Sequence, residues 1–162
     1  MAPMSPPSRH VDPNALKIRD ACADDARALA DALGRAIAVP EIIEGADQPC
    51  DRLWLAELKG NDAPVGMVGL KMVQDHTAEI HDLWVCEDCR GHGVGVRLME
   101  TCLGYCQDHG VLKTVLHAED NQTAAIHLFQ KVGFLLARQR PAGVGERLEF
   151  YMDLYRDDLG DV

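Results

Sequence analysis

Three closely spaced glycines, Gly91, Gly93 and Gly95, follow the apolar run Ile80–Val85 and precede the amphipathic run Val96–Cys106. A strand that turns through glycines into a helix leaves backbone N–H groups without partners inside the helix. These groups point in one direction and suit a phosphate or pyrophosphate, which glycine allows to approach the backbone closely. The segment therefore predicts an anion site, although a tight connection that needs positive φ would select the same residues.

The spacing of the glycines excludes two common phosphate motifs. A P-loop requires G-x-x-x-x-G-K-[ST], and this segment has neither that spacing nor the lysine. The dinucleotide fingerprint G-x-G-x-x-G is also absent, because Val96 and Arg97 follow Gly95 where a displaced third glycine is required. An anion bound here would belong to another class of ligand.

Length and composition predict one globular domain. The chain has 162 residues, of which 47% are hydrophobic and 26% charged, and this suffices for a single core. We expect residues 1–14 to be a flexible, proline-rich N-terminal tail, residues 15–156 to form the domain, and residues 157–162 to be a short C-terminal tail. The formal net charge of −10 argues against a nucleic-acid partner and favours cationic or amine substrates.

The hydropathy pattern predicts no membrane partner. No apolar run approaches the ~20 residues needed to cross a bilayer. The segment Met1–Pro13 also lacks the apolar region of a signal peptide. We therefore expect a cytoplasmic location, where structural disulfides are rare.

Four of the six cysteines have a spacing that superficially resembles a zinc site. Cys86, Cys89, Cys102 and Cys106 follow the pattern C-x2-C-x12-C-x3-C. Cys102 and Cys106, however, are four residues apart on a predicted helix, where they would fill the core as small hydrophobic residues. We favour the core interpretation and expect no metal, with a zinc-stabilised module as the less favoured alternative.

Hydrophobic periodicity predicts an alternation of strands and helices. The predicted strands are Ala15–Arg19, Trp54–Leu58, Val65–Val73, Thr77–Val85, Thr114–His117, Leu135–Gln139 and Arg147–Leu154. The predicted helices are one that begins after a capping Asp24 or Asp25 and ends at Pro40, one over Val96–Cys106, and one over Thr123–Val132. This mixture implies an α/β or α+β sheet with helices packed on its faces.

The glycine turn and the residues after it resemble a known family. Arg90 opens an R-x-x-G-x-G turn, and Asn121, Ala125 and the pair Gly133-Phe134 follow further along the chain. Together they resemble the GCN5-related N-acetyltransferase (GNAT) family, which transfers an acyl group from acetyl-coenzyme A to an amine. The likeness extends from Leu16 to about Asp153 and includes Ile18-Arg19-Asp20-Ala21 and Val65-Gly66-Met67-Val68-Gly69.

The resemblance implies a fold, a co-substrate and an assembly. The fold would be a single α/β (α+β) domain with a mixed, mostly antiparallel central sheet of about six to seven strands, splayed at its centre and flanked by about four helices. The co-substrate would be acetyl-coenzyme A, the acceptor an amine-bearing small molecule or peptide, and the assembly a homodimer. A coenzyme-binding sensor or interaction module with impaired catalysis is the alternative.

The resemblance also assigns the coenzyme contacts. Backbone amides from Gly91 to Val96 would hold the pyrophosphate, Arg90 would add a cation, and the end of the preceding strand would pair with pantetheine and polarise the thioester carbonyl. Asn121 would contact the coenzyme, although a helix N-cap would select Asn as well. The residues implied are Leu83, Trp84, Val85, Arg90, Gly91, His92, Gly93, Val94, Gly95, Val96, Asn121 and Phe129.

The chain departs from the family at Phe129. Many members have a tyrosine there, whose hydroxyl lies near the coenzyme sulfur, whereas phenylalanine cannot donate a proton. Phe129 also fits the apolar face of its helix, which favours a packing role. Tyr151 is a weak candidate for the acid, and the thiolate could also leave unassisted because its pKa is near ~8.5.

Amine attack on a thioester requires a base, because only the neutral amine is nucleophilic. Glu79 is the leading candidate, since it matches the strand position where several family members place a catalytic glutamate. His81 and Asp82 are the runners-up. Alternation along a strand places Glu79 and His81 on one face and Asp82 on the other, so the three cannot all face one substrate.

Substrate selection is expected in loops. The segment Glu41–Asp51 has no clear periodicity, and its Glu44 and Asp47 could steer an ammonium group toward the site. Each could equally be an ordinary solvated acid of the loop.

Overall fold

The computed structural model describes residues 12–42, 48–61, 63–141 and 146–154. Its strands are β1 (Leu16–Asp20), β2 (Arg52–Leu58), β3 (Gly66–Gln74), β4 (Thr77–Val85), β5 (Lys113–Glu119), β6 (Leu135–Pro141) and β7 (Glu146–Asp153). Its α-helices are α1 (Ala26–Leu33), α2 (Val94–Asp108) and α3 (Thr123–Val132), with short 3-10 turns at Pro13–Ala15, Ala23–Asp25 and Glu87–Cys89. The predicted C-terminal tail and most of the predicted N-terminal tail lie outside the described residues.

The strands form one seven-stranded sheet in the order β1-β2-β3-β4-β5-β7-β6. Every neighbouring pair is antiparallel except β4 and β5, which run parallel. The mostly antiparallel sheet predicted from the sequence is therefore confirmed. The described part of the chain contains three α-helices rather than about four, and none of them combines the length and apolar character needed to span a bilayer.

The sheet opens between its two parallel strands. β4 and β5 pair only at three positions, the last of which joins Glu79 to Val115. Beyond this pair β5 continues beside β7 as far as Glu119, while β4 continues beside β3 as far as Val85. The second half of β4 therefore lacks the ladder to β5, and the predicted splay lies here.

A β-bulge lies in the unpaired half of β4. Met67 of β3 pairs with Trp84 and Gly69 pairs with His81, so β4 has one residue more than β3 between these pairs. Asp82 lies within the bulge and has a positive φ of 54°, which is uncommon for a residue other than glycine. The bulge changes which side chains alternate along β4 after residue 82.

Two hydrophobic clusters cover the two faces of the sheet. The larger packs α2 and α3 against one face and includes the fully buried Leu98, Leu116 and Phe150. The smaller packs Leu29 of α1 against Met67 and its neighbours on the opposite face. Side chains of β4 follow this division, because Ala78, Ile80, Leu83 and Val85 contact the larger cluster while Trp84 contacts the smaller one.

Cys102 and Cys106 lie in the larger cluster and are completely buried, which confirms the prediction that they fill the core. A hydrogen bond with Cys106, together with burial, raises the pKa of the Cys102 thiol well above its usual range. In the described ranges, no group of three or more His, Cys, Asp and Glu side chains is arranged to hold a metal ion.

The first helix is shorter than predicted. It ends at Leu33 rather than at Pro40, because Gly34 adopts a left-handed conformation with a φ of 72° and donates its N–H to the carbonyl of Ala30. The apolar residues after Gly34 still contribute to packing, since Ile37 contacts the smaller cluster from the following loop.

Candidate functional site

A cleft of about 890 Å³ lies between the end of β4, the N-terminus of α2 and the length of α3. The separation of β4 from β5 leaves room for it. Ten of the twelve residues that the sequence assigned to the coenzyme line this cleft: Leu83, Trp84, Val85, Arg90, Gly91, Gly93, Val94, Gly95, Val96 and Asn121. The residues predicted to act together are therefore brought together by the fold.

The N-terminus of α2 supplies backbone donors at one end of the cleft. The N–H of Arg97 donates to the carbonyl of Gly93 over 3.1 Å, which is the first bond of the helical pattern. The N–H groups of Val94, Gly95 and Val96 consequently have no acceptor within the helix and carry the positive end of its dipole. This arrangement suits a pyrophosphate or another anion.

Two glycines in the turn are required by their backbone conformation. Gly91 has a φ of 80° and Gly93 a φ of 83°, values at which a side chain causes strain. No heavy atom would lie within 4 Å of a Cβ added at either position, so the constraint is conformational rather than steric.

Gly95 has a different role, which is to let α2 and α3 approach each other. A Cβ at this position would lie 2.9 Å from Cδ2 of Leu128 and 3.7 Å from Cγ2 of Val85. The glycine therefore sets the distance between the helix that supplies the backbone donors and the helix that forms the far wall of the cleft.

Two polar side chains of α3 that were not predicted from the sequence form part of that wall. They are His127 and Lys131, which add an imidazole and an ammonium group to the guanidinium group of Arg90 in the cleft. Their i, i+4 spacing places them on one face of α3, which is the signal that could have identified them. Arg90 itself folds back, so that its Nε donates to the carbonyl of Val85 over 3.1 Å.

Asn121 lines the cleft and does not cap α3. The N-cap position is occupied by Gln122, whose side-chain oxygen accepts a hydrogen bond from the N–H of Glu119 over 2.8 Å. The capping interpretation of Asn121 is therefore wrong, and its place in the cleft wall leaves the predicted ligand contact as its candidate role.

The two remaining predicted residues do not line the cleft. His92 lies in the glycine turn, partly exposed, and Phe129 is buried with only 5% of its surface exposed. The ring of Phe129 packs edge-on against Phe134 and Phe150, with centroids 6.3 Å and 5.9 Å away. The predicted packing role of Phe129 is confirmed.

Glu79 lies on the sheet face opposite to α2 and α3, beside two residues that the sequence analysis did not select. Its Oε1 lies 3.6 Å from Nδ1 of His117 on β5, and Nε2 of His117 lies 3.5 Å from Oε1 of Glu149 on β7. His117 and Glu149 are direct cross-strand partners. Three strands thus contribute one side chain each to a cluster that we call the carboxylate–histidine cluster.

His81 and Asp82 form a second chain of polar contacts at the bulge. Nδ1 of His81 lies 2.9 Å from Oδ2 of Asp82, and Arg35, in the loop after α1, donates to Oδ1. Burial alone would raise the pKa of Asp82, but the hydrogen bonds and charges of His81 and Arg35 outweigh it and lower the pKa below its usual range. Gly69 leaves space for the His81 ring, since a Cβ there would overlap it.

Tyr151 lies on the same face as the carboxylate–histidine cluster, but in the part of the sheet where β4 and β5 are still paired. It pairs with Val115, the last residue of β5 that still pairs with β4, and Nζ of Lys113 lies 5.5 Å from its ring centroid. Tyr151 is not among the residues that line the cleft. The predicted acceptor residues Glu44 and Asp47 lie outside the described residues.

The splayed sheet, with the N-terminus of α2 at its opening, agrees with the fold that the resemblance implies, and sequence comparison identifies the family. The model of the Acetyltransferase (GNAT) family matches residues 21–134, so the chain belongs to this family. The predicted resemblance is confirmed.

Individual curated relatives have about 30% sequence identity to this chain over the aligned residues. The probable N-acetyltransferase camello of Xenopus laevis is 30% identical over 117 residues, which cover 70% of this chain and 52% of that protein. The chain therefore spans about half the length of this curated relative.

Solved structures show the same fold at low sequence identity. Arabidopsis thaliana NAA60 in complex with a bisubstrate analogue superposes with a TM-score of 0.71 and 16% identity, covering 85% of this chain and 97% of that one. A putative streptothricin acetyltransferase of Bacillus anthracis in complex with acetyl coenzyme A gives a TM-score of 0.66 and 17% identity over 86% and 99% of the chains.

Proposed function

We propose that this protein is an N-acetyltransferase that moves an acetyl group from acetyl-coenzyme A to a primary amine of a small molecule or peptide by direct attack on the thioester. The observation that carries the proposal is the cleft, which joins the free amides of Val94–Val96 to the opening between β4 and β5. Family membership and the acetyl-coenzyme A bound to the related Bacillus anthracis structure support the choice of donor.

The cleft offers a place for each part of the donor. The amides at the start of α2, with Arg90 and Lys131, would hold the pyrophosphate and neighbouring phosphate through hydrogen bonds and positive charge. The backbone of Leu83–Val85, free of the β5 ladder, would pair with pantetheine. A free amide in this segment would also stabilise the oxyanion that forms on the thioester carbonyl.

The acceptor would approach from the opposite face, where Glu79 lies at the last β4–β5 pair. In the proposed reaction Glu79 takes a proton from the amine, whose nitrogen then attacks the carbonyl carbon. The two carboxylates of the carboxylate–histidine cluster would also attract an ammonium group before it loses that proton. The thiolate leaves unassisted and takes its proton from water, because its pKa is near ~8.5.

Thermal unfolding with acetyl-coenzyme A tests the donor site. We expect the coenzyme at about 100 times its Kd to stabilise the protein by about 2.7 kcal/mol, and we expect Gly93→Glu to abolish this stabilisation. Gly110→Glu is the matched control, because Gly110 also has a positive φ, 77°, and open space around it but lies away from the cleft. A wild-type protein that millimolar acetyl-coenzyme A does not stabilise would contradict the proposal.

A coenzyme-binding sensor is the second candidate, favoured by the burial of Phe129 where many family members have an acid. Release of free thiol from acetyl-coenzyme A, measured with L-amino acids, spermidine and short peptides, separates the two functions. Turnover that falls strongly in Glu79→Gln favours the enzyme, whereas tight binding without turnover favours the sensor. The cytoplasmic location and the homodimer stay predictions.

A further inference from the structure

The ring of His117 has an unusual environment for a histidine in a sheet. Its Nδ1 is shielded from solvent and has no hydrogen-bond partner in the described part of the chain. Oε1 of Glu79 lies 3.6 Å from this atom, which is too far for a hydrogen bond. A buried polar atom without a partner is destabilising, so such atoms are rare and call for an explanation.

The position of His117 in the sheet suggests that explanation. The β4–β5 ladder ends at the pair Glu79–Val115. His117 lies two residues after Val115 on β5, so their side chains are on the same face of the sheet. His117 therefore lies beside Glu79, two residues beyond the last β4–β5 pair, where the sheet opens. About a quarter of its side chain is exposed, compared with a third for Glu79, so Glu79 is the more accessible of the two.

Glu149 occupies the other side of the ring. Its Oε1 lies 3.5 Å from Nε2. The neutral tautomer that keeps its hydrogen on Nε2 leaves a lone pair on the buried Nδ1. An imidazole in that state can take a proton at Nδ1, and the two flanking carboxylates would then balance the charge of the imidazolium.

We propose that His117 receives, through Glu79, the proton that the acceptor amine loses during acetyl transfer, with Glu149 stabilising the protonated ring. This inference rests on the proposed function. The C–N bond forms, the C–S bond breaks with its electron pair on sulfur, and the amine proton passes to Glu79, then to Nδ1 of His117, and finally to solvent. His117 does not touch the amine and is a positioning residue.

Other charged and titratable side chains share this face and contribute to its pH dependence. On the strands around His117 and Glu79 they are Lys71 on β3, Glu79 and His81 on β4, Lys113 and Glu119 on β5, and Arg147, Glu149, Tyr151 and Asp153 on β7. Only Glu79 and Glu149 form ion-pair contacts with His117 among the described residues. The experiments below therefore alter these two carboxylates.

NMR of the histidine rings of the full-length protein tests the proton coupling without any acceptor. The chain has seven histidines, and the signal of His117 is the one that disappears in His117→Asn. We expect the ring signals of His117 at neutral pH to change in Glu79→Gln and in Glu149→Gln, because each substitution replaces a negative charge beside the ring with a neutral amide. The signals of His76, an exposed residue of the β3–β4 turn, should not change. His117 signals that are identical in the wild type and in Glu79→Gln would overturn the proposal.

Steady-state kinetics with the best amine of the panel test the catalytic role. We expect His117→Asn to lower kcat at neutral pH by about 100-fold, the lower end of the effect of general acid–base groups, with little change in KM for acetyl-coenzyme A. The ratio of wild-type to variant kcat should fall toward 1 over about two pH units below ~6.5, the ordinary pKa of an imidazole. The ionisation of the amine cancels in this ratio.

Two further results separate a relay from a packing role. His76→Asn should retain full activity, and His117→Asn should keep the stabilisation by acetyl-coenzyme A. A ratio that stays constant with pH would assign His117 a structural role and contradict the proposal. A wild type that acetyl-coenzyme A does not stabilise would instead contradict the proposed function, while the NMR coupling would still decide whether His117 and Glu79 share a proton.

Discussion

The two sides of the opened sheet are built in different ways. On the proposed donor side, the backbone would supply the ligand groups, namely the amides of Val94–Val96 and the free edge of Leu83–Val85. On the proposed acceptor side, side chains from separate strands would supply them, namely Glu79, His117 and Glu149. A backbone site depends on local chain conformation, whereas a side-chain site depends on the register that aligns distant segments.

The two sides therefore place different constraints on the sequence. The donor side needs positive φ at Gly91 and Gly93 and a close approach of two helices at Gly95, conditions that few sequences satisfy. The acceptor side requires only that side chains on three strands face the opening, and such side chains can be exchanged one at a time without altering the backbone.

The largest expected effect comes from the core that supports the donor side. Leu98 of α2 is completely buried, so Leu98→Ala should lower the free energy of unfolding by about 2–5 kcal/mol. Leu135, on the acceptor face, is 59% exposed, and Leu135→Ala should change it by less than about 0.5 kcal/mol. Urea unfolding of both variants measures the difference. A large loss in Leu135→Ala would show that another surface, such as a second copy of the chain, covers this face.

An intermediate effect on the free energy of unfolding is expected from a substitution at Phe129. This substitution tests whether Phe129 has a packing role or a chemical one. The ring is enclosed by Phe134 and Phe150, so the hydroxyl introduced by Phe129→Tyr would be buried without a partner. We expect a loss of about 1–3 kcal/mol in the free energy of unfolding and no gain in kcat. Denaturant unfolding and thiol-release kinetics measure the two quantities.

The control for this variant is Tyr151→Phe, which removes a hydroxyl from the acceptor face. Because Tyr151 is partly exposed and lies below the opening, its loss should change stability little and kcat by less than the loss of Glu79. An increase of kcat in Phe129→Tyr would show that this position reaches the thiolate and would contradict the packing role.

Much of the donor side was predictable because its signals are local. The glycine turn, the strand Thr77–Val85 and the helix Thr123–Val132 occur where the sequence predicts them. His127 and Lys131 were not predicted, because polar residues on a helix face are usually solvated and do not by themselves indicate a ligand site. In this helix only Phe129 indicated a departure from the family pattern.

The acceptor side was only partly predictable. The alternation of β4 correctly places Glu79 and His81 on one face. The predicted placement of Asp82 on the opposite face is wrong, because its carboxylate contacts His81 and Arg35. The bulge at Asp82 that causes this depends on pairing with β3 and has no local signature. His117 and Glu149 lie near Glu79 only because β5 is between β4 and β7 in the sheet. In this order β7, the last strand of the chain, lies between β5 and β6. No local pattern specifies that order.

The smallest expected effect tests whether the α1 loop is tied to the acceptor side electrostatically. Arg35 contacts Asp82 in a half-exposed pair, with 51% and 35% of the side chains accessible, so Arg35→Ala should lower the free energy of unfolding at pH 7 by only about 0.5–1 kcal/mol. Because the pKa of Asp82 is lowered in the folded state, the stability it contributes is present above its usual pKa of about 3.9 and is lost as the pH falls through the lower folded value. The difference in the free energy of unfolding between wild type and Arg35→Ala should therefore shrink as the pH falls below about 4.

Urea unfolding at pH 7 and pH 3 measures this difference. Arg27→Ala, on the exposed side of α1, is the control for the loss of a positive charge. Equal differences at both pH values would assign the effect of Arg35 to packing rather than to its charge.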